Sequence, residues 1–273
     1  QYLILTETAT TSGNLLYVKD LRKSNNDKQH TANLNNGFIK LNDGFEFDFN
    51  VIENFKGKLL VLTNEAAPRY RLILIDPAHP AQKNWITVVK EQKDVLQTAT
   101  VVGERIITTY MKDASNKVYA YSLEGKLINE LSIPGIGTLG GFTGKQQDKV
   151  SFYSFTSFTT PTTIYKYDFV KSKSEVYFQP KLDFDSKEYV TQQVFYTSKD
   201  GTKIPMFLIH KKDLQLNGMN PVYLYGYGGF NISLTPSFST ARLIWLEKGG
   251  VLAIPNLRGG GEYGEEWHKA GTL

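Results

Sequence analysis

The 273-residue sequence contains no cysteine, which removes disulfides, thiolate metal centres, iron–sulfur clusters and a cysteine nucleophile at once. It also leaves the compartment open between cytosol and periplasm; the cytoplasm is the expectation and the periplasm the runner-up. No apolar run approaches the ~18–20 residues that a membrane-spanning helix needs. Neither sign of charge dominates: 31 basic and 27 acidic residues leave +4. That balance is too mild to point to nucleic acid or an anionic membrane, and neither is expected as a partner. Histidine is scarce, at His30, His79, His210 and His268 only. None has the spacing of a metal site, and neither a metal nor a cofactor is expected. The first two are read as solvated loop residues and His210 as a strand-edge residue. The serine-nucleophile pentapeptide G-x-S-x-G is missing, and so is the phosphate-cradling G-x-x-x-x-G-K-[ST]. Gly137-Thr138-Leu139-Gly140-Gly141 lacks the following helix that a phosphate loop requires. Gln1 to Thr6 carry neither an initiator Met nor a signal-peptide pattern and read as a strand under way. Trp267 to Leu273 bring no closing feature, so a piece of a longer protein is expected.

Aromatic residues are abundant instead, at 13%, which favours strands. From residue 1 to about 180, strand-length apolar runs alternate with Asn/Gly/Pro/Asp turns. Leu59 to Thr63, Tyr70 to Ile75 and Trp85 to Val89 are examples, and no window there holds a helical period. An alternating strand ending in a polar turn recurs around Tyr17, Tyr70, Tyr119 and Tyr165, at steps of 53, 49 and 46 residues. A period of ~40–50 residues with four strands per unit is the sign of β-propeller blades, a run of unrelated sandwich hairpins being the alternative. Three full blades and part of a fourth fit. Such an arc is open and leaves edge strands unpaired, so further blades are expected, most simply before Gln1.

After Pro180 the pattern changes. Asp183 to Lys187 suits a linker. Two strands flank Ser198-Lys199-Asp200-Gly201, a hairpin signal. Val222 to Tyr225 reads as a strand buried on both faces, followed by a helix from a Ser237 cap to Lys248 and a strand at Val251 to Ile254. Strand, helix, strand is a βαβ unit of an α/β sheet. The last strand is expected to expose apolar surface unless further strands flank it. The division is therefore 1–180, an incomplete β-propeller of all-β blades, and 181–273, the first part of an α/β domain.

Two glycine clusters carry the candidate chemistry. Tyr225-Gly226-Tyr227-Gly228-Gly229-Phe230-Asn231 follows a strand at its C-terminal end, where open α/β sheets bind ligands. Tyr227 either points a hydroxyl into the crevice, suited to a developing oxyanion, or packs in the core with its hydroxyl satisfied. Phe230 is a candidate apolar pocket wall, and Gly228 and Gly229 let the backbone turn closely. In Asn256-Leu257-Arg258-Gly259-Gly260-Gly261-Glu262-Tyr263-Gly264, an Arg258–Glu262 salt bridge is expected to brace the loop, which is as much a structural role as a catalytic one.

These two clusters, together with Trp267-His268-Lys269-Ala270-Gly271 and Ser198 to Phe207, resemble the prolyl oligopeptidase (prolyl endopeptidase) family. Phe152 to Phe158 and Lys93 to Leu96 are similar as well. The resemblance covers nearly the whole chain and is best from about residue 190 onward. It implies a β-propeller joined to an α/β-hydrolase domain, and serine-peptidase cleavage of short peptides after proline by a monomer. It implies that Tyr227 supplies half the oxyanion hole and that Phe230 walls the proline pocket. It also implies that the Ser, Asp and His of the triad lie beyond Leu273, so that the chain alone is inactive. A related oligopeptidase of other specificity and a non-catalytic propeller binding module are the alternatives.

Overall fold

The computed structural model describes residues 1–10, 12–22 and 37–272. They form two compact units, Gln1–Gln92 and Lys93–Leu273.

In the first unit, β1 (Tyr2–Glu7), β2 (Leu15–Asp20) and β3 (Ile39–Lys40) make a three-stranded antiparallel sheet. β4 (Phe49–Phe55), β5 (Lys58–Thr63), β6 (Arg71–Ile75) and β7 (Ile86–Val89) make a four-stranded meander. The two sheets share a core in which Leu16, Val18 and Leu41 meet Phe49, Leu59, Val61, Ile73 and Ile75.

The second unit opens with two more such meanders. The first contains β8 (Val95–Val102), β9 (Arg105–Lys112), β10 (Ser115–Tyr121) and β11 (Leu127–Leu131). The second contains β12 (Thr138–Thr143), β13 (Val150–Thr156), β14 (Thr163–Asp168) and β15 (Lys173–Phe178). Between them Val102, Ile107, Val118 and Leu131 pack on Phe142, Tyr153, Phe155 and Tyr167. The blade pattern read from the sequence is present: among the described residues there are three four-stranded meanders and one three-stranded sheet.

The repeated tyrosines fall at comparable, not identical, places in the pattern. Tyr119 and Tyr165 lie in the third strand of their sheets, Tyr70 directly precedes a third strand, and Tyr17 lies in the middle strand of the three-stranded sheet. The repeat extends to the irregularities. In every four-stranded meander the register shifts between strands one and two and again between strands three and four. Strands two and three pair without a shift. Bulges bend and twist a strand pair, so each sheet is twisted at its flanks and regular at its centre.

Tight turns close several hairpins with two residues at positive φ, the geometry that matches strand twist. Lys56-Gly57 and Gly103-Glu104 use glycine for one of the two. The β9–β10 turn does not: Asp113 (φ 49°) and Ala114 (φ 59°) are both in the left-handed region, and Ala114 is fully buried.

The rest of the second unit is an α/β sheet of β16 (Tyr189–Thr197), β17 (Lys203–Lys211), β18 (Val222–Leu224) and β19 (Val251–Pro255), in the spatial order β16-β17-β19-β18. β18 and β19 are parallel and joined by α1 (Thr240–Glu247), which gives the βαβ unit. α2 (Glu265–Lys269) ends the described chain. Leu243 and Leu246 of α1 bury against Phe207, Ile209, Leu252 and Ile254, and Phe158 and Ala114 from the preceding sheets enter the same core. A fully buried side chain of this size contributes ~1.5–3 kcal/mol by burial.

Four local expectations are corrected. β18 is not buried on both faces: among the described strands it is the outermost of this sheet, and Val222, Tyr223 and Leu224 are about half exposed or more. β19, expected to expose apolar surface, is buried throughout, because it lies between β17 and β18 and under α1. The helix begins at Thr240 with Ser239 before it, and Ser237 Oγ instead accepts from Arg242 at 3.3 Å. His210 is buried within the sheet rather than at its edge, with Nδ1 2.7 Å from the Lys211 carbonyl.

Candidate functional site

The site is built from the two glycine clusters, each on the loop that follows a parallel strand. Backbone pairing carries the first loop beyond β18: Tyr225 N–H donates to the Ala253 carbonyl at 3.0 Å, and Tyr227 forms a parallel bridge with Asn256. The loops then interlock. Asn231 N–H donates to the Gly259 carbonyl at 3.0 Å. Gly259 has φ +97°, and a Cβ there would lie 2.4 Å from the Gly228 carbonyl oxygen. A Cβ on Gly228 would lie 2.6 Å from the Arg258 carbonyl oxygen. The two backbones touch where any side chain would hold them apart.

Tyr227 is half-buried, with its hydroxyl above Gly229, 3.7 Å from where a Cβ would stand. Among the described residues the hydroxyl has no hydrogen-bond partner. Phe230 is 80% exposed at φ 54°, followed by Asn231 at φ 59°. Two consecutive non-glycine residues in the left-handed region are unusual, and such strain tends to gather at functional loops.

Arg258 and Glu262 do not pair with each other. The Arg258 guanidinium reaches across to the β16–β17 hairpin, where it donates to Asp200 Oδ2 and to Ser198 Oγ at 3.3 Å. That contact, with the Thr202 N–H, draws the Asp200 carboxyl down to about 2. Glu262 is fully buried and turns inward. Its Oε1 accepts from Leu234 N–H at 2.9 Å and from Asn256 Nδ2 at 3.2 Å. Asn256 Nδ2 also donates to the Leu234 carbonyl at 2.6 Å. Burial raises the Glu262 carboxyl above its ordinary value, and the hydrogen bonds partly offset this. The two residues expected to brace one loop therefore brace it against two different segments.

α2 supports the second loop from below. Gly259 N–H donates to the Trp267 carbonyl at 3.0 Å, Trp267 Nε1 donates to the Leu257 carbonyl at 3.2 Å, and His268 Nδ1 lies 2.9 Å from the Gly259 carbonyl. Tyr263 packs edge-on against Trp267, with ring centroids 4.8 Å apart, and donates its hydroxyl to Asp113 Oδ1 at 2.7 Å. Sequence reading missed Asp113 and Leu234; Asp200, Asn256 and Tyr263 stood inside quoted motifs, but without these contacts. His79 is exposed beside Asp76, and His30 lies outside the described residues. Among the described residues no three His, Asp or Glu side chains gather as metal ligands, and no helix is long and apolar enough to cross a membrane.

Residues 1–180 match the family pattern described as "Prolyl oligopeptidase, N-terminal beta-propeller domain", and residues 236–273 match "Prolyl oligopeptidase family". The chain belongs to the prolyl oligopeptidase family. It is 43% identical to the prolyl endopeptidase of Elizabethkingia miricola over 272 residues, which is all of this chain and 37% of that protein. It is 33% identical to prolyl oligopeptidase A of Amanita bisporigera, over 96% of this chain and 34% of that one. A structure from a study of two prolyl endopeptidases superposes with a TM-score of 0.88 at 39% identity, covering 99% of this chain and 38% of its own. The chain thus spans little more than a third of the length of these relatives, and comprises propeller blades and the start of the catalytic domain.

Proposed function

We propose that this chain is part of a serine endopeptidase that hydrolyses short peptides on the carboxyl side of proline. In this reading Tyr227 donates its hydroxyl to the oxyanion that develops on the scissile carbonyl, and Phe230 forms an apolar wall for the proline ring. The serine, histidine and aspartate belong to the additional length that the relatives possess. The chain by itself then binds and orients but does not turn over substrate.

The observation that carries the reading is the Tyr227 hydroxyl: half-buried, without a partner among the described residues, on a loop locked at the C-terminal end of a parallel strand. A phenol held by the backbone rather than by its own hydrogen bond is a preorganised donor. Such a donor stabilises a charge that appears only in the transition state, without reorganising when it does. Phe230, three residues further on and exposed, gives the same loop an apolar face. A proline ring needs no charged partner, whereas a basic side chain does.

The test uses the full-length protein that contains this sequence. It is expected to cleave a fluorogenic Pro-X peptide well in preference to an Arg-X peptide, and Tyr227→Phe is expected to lower kcat by ~10²–10³ while the fold is kept. Equal rates on both peptides would overturn the specificity. A kcat within twofold in Tyr227→Phe would leave that tyrosine a packing residue.

A further inference from the structure

The β9–β10 hairpin of the third sheet ends in a turn that the mechanism does not use and local sequence preference does not explain. Two-residue turns of this kind favour Asn-Gly or Asp-Gly; here the second position is Ala114, at φ 59°. A non-glycine residue is disfavoured there. The turn is nonetheless held at three points. Ala114 is fully buried in the core of the α/β sheet with Phe158, Phe207 and Leu246. The Asp113 carbonyl accepts from Gln193 Nε2 on β16. The Asp113 carboxylate accepts from the Tyr263 hydroxyl at 2.7 Å. Burial and the facing Asp113 hold that hydroxyl protonated, so it remains a donor.

Tyr263 stands three contacts from the Tyr227 loop. Its ring packs on Trp267, whose carbonyl accepts from Gly259 N–H. Gly259 is in backbone contact with Gly228 and accepts from Asn231. The direction in which Gly259 faces is thus set from the α2 side, and the placing of Tyr227 depends on Gly259 because nothing but backbone separates the loops.

We infer that Asp113 and Tyr263 are positioning residues: the hairpin of a propeller blade grips the second glycine loop through this hydrogen bond and thereby fixes the Tyr227 hydroxyl for catalysis. The inference rests on the oxyanion reading of Tyr227. A catalytic part whose donor is aligned only while the blade is docked would couple domain closure to the chemical step.

Contiguity alone does not establish coupling; a double-mutant cycle does. In the full-length protein, with a fluorogenic Pro-X peptide at saturation, Tyr263→Phe is expected to lower kcat about 5–10-fold with KM within about twofold, an interaction lost only in the transition state. In a Tyr227→Phe background the same change is expected to have no further effect. Asp113→Ala should reproduce Tyr263→Phe from the other side of the bond, and Asp113→Asn, which keeps an acceptor oxygen, should restore most of kcat. The same fold-loss in both backgrounds, or an unchanged kcat in Tyr263→Phe and Asp113→Ala, overturns the inference while leaving the oxyanion reading intact. An unchanged kcat in Tyr227→Phe overturns both.

Discussion

Glu262 Oε1 accepts the backbone N–H of Leu234 at 2.9 Å and so ties the segment after the first glycine loop to the segment within the second. The carboxyl is fully buried, and the Asn256 amide donates to the same oxygen at 3.2 Å. Replacing Glu262 by Ala leaves the Leu234 N–H unsatisfied in the interior. The expected loss is ~1–3 kcal/mol, read as a lower urea midpoint of the full-length protein.

The same carboxyl sets a pH dependence. Its folded value is raised above 4.5. Below that ordinary value both folded and unfolded forms are protonated, and its contribution to stability is complete. As the pH rises the unfolded chain ionises first, and the contribution is lost through the raised folded value. Glu262→Gln removes the titration and keeps one acceptor. The stability of the unsubstituted protein should therefore decline relative to Glu262→Gln as the pH rises above 4.5; parallel curves would contradict the assignment.

Asp200 acts in the opposite sense. Its carboxyl is drawn from 3.8 down to about 2 by Arg258 and the Thr202 N–H. The stabilisation is present above 3.8 and is lost as the pH falls toward about 2. The pair is solvent-exposed, so Asp200→Asn is expected to change stability little at neutral pH and to flatten only the acid limb, as followed by acid titration of the unfolding midpoint.

Gly259 and Gly201 separate strain from contact. Both have positive φ, +97° and +86°, but a Cβ on Gly201 meets nothing within 4 Å whereas one on Gly259 meets backbone. Gly201→Ala should cost ~1–2 kcal/mol of conformational strain alone. Gly259→Ala should cost clearly more and, by pushing the loops apart, reduce kcat as well. Equal destabilisation of the two variants would mean that the loops are not held in backbone contact.

Phe158, in the loop after β13, lies 5.3 Å from Phe207 between ring centroids and is 1% exposed. Phe158→Ala is expected to cost ~3–5 kcal/mol. Because it joins the last meander to the α/β sheet, calorimetry of the full-length protein should show the melting of both shifted, not of one.

The strands and their grouping were legible because alternation and turn chemistry are local. The spacing of Tyr17, Tyr70, Tyr119 and Tyr165 announces the repeat of sheets, and Asp200-Gly201 announces its hairpin. Which strand lies outermost is not local. Val222 to Leu224 is as apolar as Val251 to Ile254, but the spatial order places one at the margin of the sheet and the other inside it. The glycine loops were visible as composition, whereas their fastenings were not. Arg258 and Asp200 are 58 residues apart, and Tyr263 and Asp113 are 150 apart. Arg258 and Glu262, close in sequence and opposite in charge, invited a pairing that the burial of Glu262 rules out.

The order β16-β17-β19-β18 also dictates a schedule for synthesis. Val222–Leu224 emerges from the ribosome before the strand it pairs with, and its neighbour in the sheet, Val251–Pro255, follows only after the whole of α1. During that interval the strand has no ladder to join, and the Tyr227 loop that follows it has nothing to interlock with. Elongation through Gly264 supplies both at once. The nascent chain therefore completes this strand pairing and its candidate catalytic loop in a single late step, and a pause in translation within α1 would leave the apolar Val222–Leu224 stretch without its partner strand.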